Sequence, residues 1–109
     1  MAEIAQEPGK IDITYMNKGY AYTFQTRHNG DITANTFESF INDVNGSTIP
    51  LTVTKEYNAG LSKTILTHYL SAGNSALLTI GHANRWACVQ TANSIPRPIL
   101  AGNWMAYLI

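Results

Sequence analysis

The sequence predicts an α+β fold: an antiparallel or mixed sheet of about five or six strands with two amphipathic helices on one face, an all-β sandwich being the alternative. Three observations predict it. Apolar and polar residues alternate on both sides of short glycine-containing turns, as half-buried strands require. Two segments, 34–45 and 61–72, carry apolar residues at helical spacing. The chain has 109 residues, 45% of them apolar, enough for one core without staples.

Residues 1–9 read as a flexible lead and 10–109 as one globular domain. Ile11, Ile13 and Tyr15 alternate with Asp12, Thr14 and Met16. After Asn17-Lys18-Gly19, Tyr20, Tyr22 and Phe24 alternate with Ala21, Thr23 and Gln25. That pattern predicts a β-hairpin with an aromatic face toward the core. Asn29-Gly30-Asp31 marks a turn. Phe37, Phe40, Ile41 and Val44 then fall at i, i+3, i+4 and i+7. This predicts a helix over 34–45, capped by Thr33 and stopped by Gly46.

Ile49, Leu51 and Val53 alternate with Pro50, Thr52 and Thr54. The result is a strand that Pro50, lacking an amide donor, places at an edge or at its own start. After the turn Asn58-Ala59-Gly60, Leu61, Ile65, Leu66, Tyr69 and Ala72 predict a second helix with Ser62 as cap and Gly73 as stop. The β-branched Thr64 and Thr67 lower helix propensity, so a strand over 63–70 is the rival reading. The runs 76–80 and 85–90 read as buried strands joined by a hairpin loop, Gly81-His82-Ala83-Asn84. Residues 93–98 read as a loop stiffened by two prolines. The tail 99–109 is apolar in both parities, which predicts a last strand covered on both faces.

Charge narrows the function. Only 13% of the residues are charged, about half the usual ~25%. Seven basic residues balance seven acidic ones. Such a surface has no field to steer a polyanion, and the dispersed lysines and arginines exclude a nucleic-acid partner. It suits a protein partner, a second copy of the chain, or a neutral ligand such as a glycan. No run of ~18 apolar residues supplies a membrane span. The amino terminus lacks a basic-then-apolar leader, so the default location is cytoplasmic.

No cofactor or metal is expected. His28, His68 and His82 have no metal-ligand spacing, and neither a phosphate loop nor a dinucleotide fingerprint occurs. Cys88 is the sole cysteine, so no intramolecular disulfide forms, and its apolar neighbours predict a small buried hydrophobe. A hydrolase or transferase reading pairs Cys88 with His82 or His68. The order over 61–92, with His82 ahead of Arg85-Trp86-Ala87-Cys88-Val89, resembles the back half of papain-like cysteine peptidases. Those enzymes take their nucleophile from an earlier helix, where this chain has no cysteine. Asn45-Gly46-Ser47 fits the glycosylation tripeptide and is expected to be unused.

The leading candidate binding patch is His82, Asn84, Arg85 and Trp86, since arginine and aromatic side chains anchor partner surfaces. Arg27, His28 and Asp31 form a second. The expectation is a non-enzymatic binding or assembly protein that docks on another protein or on itself. A carbohydrate-binding module and the Cys/His enzyme are the alternatives. The tail is expected to run through the sheet centre or to complete a sheet between subunits.

Overall fold

Alternation, not helical spacing, governs almost the whole chain. The computed structural model describes residues 9–107, with nothing described of the Thr14 and Tyr15 side chains. The expected lead (but for Gly9) and the terminal Leu108 and Ile109 lie outside the described residues. Among the described residues eight strands follow in order: β1 (Gly9–Lys10), β2 (Ile13–Asn17), β3 (Tyr22–Asn29), β4 (Thr36–Asn42), β5 (Thr48–Asn58), β6 (Lys63–Leu70), β7 (Asn84–Ala92) and β8 (Ile95–Tyr107). The one helix among the described residues, α1 (Ala72–Ser75), is a single turn.

The strands form one curled sheet in the order β1-β8-β7-β4-β5-β6-β3, with β2 also on β8. Strand β5 makes the curl. Its first residues, Thr48 to Leu51, pair with β4. The remainder, Thr52 to Asn58, pairs with β6, so β5 passes from one layer to the other. The two ends of the sheet then face each other. Phe24 of β3 meets Trp86 of β7 edge-on at 5.3 Å, and Tyr22 meets Trp104 of β8 at 5.7 Å. Trp86 and Trp104 are buried between the layers with Ile41, Ile49, Leu66, Leu70 and Leu78. Each indole N–H has an acceptor: the Ile11 carbonyl at 2.7 Å and the Met16 sulfur at 2.9 Å. Buried indoles normally meet that requirement.

The structure overturns the α+β expectation. About 65% of the described residues are in strands and 4% in helix, and none of them forms a helix of seven residues or more. The segment 34–45 is the strand β4 and its turn. Phe37, Ser39 and Ile41 point inward, Phe40 points outward, and Val44 is exposed. A small polar residue occupies the middle inward position, so the apolar residues left over fall at helical spacing. The segment 61–72 fails in the same way. Its inward residues are Thr64, Leu66, His68 and Leu70, and two of the four are polar. The rival strand over 63–70 coincides with β6.

The expected hairpin at 11–25 does not form, although both strands exist. Strand β2 runs parallel to β8, and β3 runs antiparallel to β6. The link between them carries the chain from one end of the sheet to the other, with Gly19 at φ 89°, a conformation glycine adopts freely. Residues 76–80 are not a strand but turns after α1, apart from an isolated bridge between Ile80 and Ala106. The loop expected at 93–98 is a two-residue turn at Asn93 and Ser94, both with positive φ. The prolines beyond it stand inside β8. The tail lies within the sheet between β7 and β1/β2, with Met105 and Tyr107 half-buried on its outer face.

Candidate functional site

The alternation of strand β7 divides the leading candidate patch. Trp86 and Asn84 point into the core with 1% and 0% exposure. Arg85 points outward and His82 is exposed in the preceding turn. Asn84 is a structural clamp: its side-chain oxygen accepts the Val44 amide at 2.9 Å and its amide donates to the Thr79 carbonyl at 3.2 Å. Asp43 completes the clamp by accepting the Thr79 amide and hydroxyl at 2.8 and 2.6 Å. Burial raises the Asp43 pKa, but the bonds from Thr79 and Asn45 and the charge of Lys18 outweigh it and hold the carboxyl below its usual range. In the second patch Arg27 faces out, and Asp31 is exposed and held below its usual range by the Thr33 hydroxyl and amide. His28 turns inward.

That inward turn joins His28 to a buried chain that the sequence pattern hides. Thr26 Oγ1 lies 2.8 Å from His28 Nε2 and 2.9 Å from His68 Nε2. His68 Nδ1 lies 3.3 Å from Ser39 Oγ. A proton order in which Ser39 donates to His68, His68 to Thr26 and Thr26 to His28 satisfies every site. Phe24 stacks on the His68 ring at 4.6 Å. Burial, and then the nearby His28, lower the His68 pKa to about 4, so the ring is neutral at neutral pH. Ser39 and His68 are 3% and 0% exposed. The chain ties β3, β6 and β4 together, with Thr26, His68 and Ser39 buried and His28 half-buried at its outer end.

Cys88 is opposite Ser39 in the β4–β7 pairing and is fully buried. Burial pushes its thiol pKa up to about 12, the reverse of what a thiolate nucleophile needs. Among the described residues, no hydrogen bond joins it to His68 or His82, and no cluster of His, Cys, Asp and Glu suits a metal ion. A cleft of about 340 Å³ opens at the fork where β5 leaves β4, lined by Phe37, Phe40, Pro50 and Leu51. Lys55 bridges that fork by donating to the Asn35 carbonyl at 2.6 Å.

The unpaired edges of the sheet differ in kind. Where β8 has only β7 beside it, Pro96 and Pro98 remove the amides that would face outward. The β1–β2 edge is interrupted after Lys10, and its register shifts between Ile13 and Met16. The free flank of β5 carries Lys55 and Glu56. Strand β3 has none of these features beyond the single charge of Arg27. All eight of its residues pair with β6 without a register shift, and among the described residues no strand pairs with its other edge. Thr23 and Gln25 are exposed on the outer face of β3, and Gln25 donates to the Thr67 hydroxyl of β6 at 3.2 Å.

No protein-family model matches the sequence, and the search of curated proteins finds no relative. Among the described residues, no helix is long and apolar enough to cross a membrane.

Proposed function

We propose that the protein is a non-enzymatic binding or assembly module that works by strand addition, taking an extended segment of a protein partner along the free edge of β3. The contrast between edges carries this reading. Soluble proteins blunt exposed edges with proline, lysine, bulges or irregular strands, because an open edge is a template for pairing. Such devices stand on β8, β1–β2 and β5, while β3 is long, regular and nearly uncharged. In strand addition the ladder of main-chain bonds supplies affinity, and side chains at alternate positions supply selectivity. The sparse charge of the whole chain fits docking through backbone bonds rather than ion pairs.

The test is selection of displayed extended decapeptides on the native protein, compared with a variant carrying Thr23→Lys and Gln25→Lys. Both side chains are exposed, and the variant gives up only the exposed bond from Gln25 to Thr67 at 3.2 Å, so folding stability falls by no more than about 1 kcal/mol. The selected peptides should bind the variant about tenfold or more weakly, since lysines at an edge oppose pairing. Peptides that bind both proteins equally would place docking elsewhere and end the proposal.

A further inference from the structure

We infer that the buried chain from Ser39 to His28 is a proton-order switch: a proton taken up by His28 at the rim reverses the direction of all three hydrogen bonds and changes the tautomer of His68, which stays neutral. Each link joins two atoms that share a single hydrogen: Ser39 Oγ with His68 Nδ1 at 3.3 Å, His68 Nε2 with Thr26 Oγ1 at 2.9 Å, and Thr26 Oγ1 with His28 Nε2 at 2.8 Å. Thr26 has one hydroxyl hydrogen, so it donates to one histidine and accepts from the other. The two imidazoles are coupled through it.

The inner end fixes the resting direction. Ser39 is buried, and among the described residues His68 Nδ1 is the one hydrogen-bond partner of its hydroxyl. A buried donor without an acceptor is costly, so Ser39 donates. His68 then carries its proton on Nε2 and donates to Thr26, and Thr26 donates to His28 Nε2. A protonated His28 has a hydrogen on both ring nitrogens, and its Nε2–H would meet the Thr26 hydroxyl hydrogen head-on. The contact survives when Thr26 accepts from His28 and donates to His68 Nε2, while His68 carries its proton on Nδ1 and donates to Ser39. The protons balance: His28 gains one, and His68, Thr26 and Ser39 keep one each. No charge enters the core. The Ser39 hydroxyl gives up its acceptor in this state, which is why the opposite direction is the resting one.

The rings hold still while the protons move. His68 stacks on Phe24 at 4.6 Å and meets Trp86 edge-on at 5.8 Å. His28 is half-buried, so its proton comes from solvent, and Thr26 is its one hydrogen-bond partner among the described residues. The other ionisable groups on the surrounding elements are engaged elsewhere or stand further along the face. Lys63 of β6 donates to Asn29, Lys55 of β5 donates to the Asn35 carbonyl, and Asp31 in the next turn accepts from Thr33. Tyr57 of β5 pairs with Thr64, the register partner of His28. Arg97 of β8 lies in the row of Gln90 and Phe37, and Cys88 of β7 lies opposite Ser39.

The test is to follow the imidazole nitrogen-15 shifts of both histidines in the native protein from about pH 7.5 to 4.5, the range in which histidines titrate. His68 should begin with its proton on Nε2 and move to the Nδ1–H form with the same midpoint as His28, without becoming an imidazolium. Thr26→Val should break the coupling, so that His68 no longer follows His28. His28→Gln, at a half-buried site, should hold His68 in the Nε2–H form throughout, and decides the matter if Thr26→Val fails to fold. A His68 that keeps its tautomer while His28 takes up its proton overturns the inference. So does a tautomer change that persists in either variant, or a native protein that unfolds before His28 is protonated.

Discussion

Gly102→Ala is expected to destabilise the protein by about 3–5 kcal/mol, the sum of overpacking and one orphaned buried donor. A Cβ at position 102 would overlap the Ile11 carbonyl oxygen and stand 2.9 Å from Trp86 Nε1. Neither neighbour can give way cheaply. The Ile11 amide donates to the Ala101 carbonyl at 3.0 Å, and the Ile11 carbonyl accepts the buried Trp86 indole at 2.7 Å. Making room breaks both bonds, lifts the β1–β2 segment from β8 and leaves a desolvated indole N–H. Urea unfolding monitored by tryptophan fluorescence measures the loss. A change under ~1 kcal/mol would mean that Ile11 does not lie over Gly102, since ordinary surface substitutions fall in that range.

Acid is expected to weaken the fold well before the carboxylates titrate. His68 is held at a pKa of about 4 in the folded protein, against 6.5 for a free imidazole. Between these values the unfolded chain binds a proton that the folded chain does not, so stability falls as pH falls. It is fully present above pH 6.5 and lost progressively down to about pH 4, amounting to about 3 kcal/mol. Burial also lowers the pKa of His28, with the same sign. The carboxyl of Asp43, held below its usual range, adds a further loss at still lower pH. Urea unfolding at several pH values between 7 and 4 should show this slope, and His68→Leu should flatten most of it. An unchanged slope in that variant would remove His68 as its source.

Strand positions were legible in the sequence where inward residues are apolar. Ile49, Leu51 and Val53 alternate and stand in β5 as read. The carboxy-terminal strand was also visible from Trp104, Met105 and Tyr107, although it starts at Ile95 rather than at residue 99. The reading failed where inward positions are polar for a structural reason. Ser39, Thr64 and His68 are buried because each has a hydrogen-bond partner in another strand or turn, and a local pattern contains no trace of that partner. Pairing was not legible either. Nothing local to residues 13–25 indicates that β2 joins β8 while β3 joins β6, because paired residues lie 34 or more positions apart in sequence. The patch at 82–86 looked continuous along the chain, but the two-residue period of a strand sends Asn84 and Trp86 to the side opposite Arg85. The open edge of β3 is a property of what fails to pair with it, which only the assembled sheet reveals.

The most direct test of the account is amide hydrogen exchange read residue by residue along β3 in dilute, isolated protein. In an edge strand every second amide points away from its neighbour and meets water. The account predicts alternation along Tyr22–Asn29: slow exchange at amides bonded to β6 and fast exchange at those between them. Uniform protection of all eight in the dilute monomer would mean that the edge is already covered, and would contradict strand addition at β3.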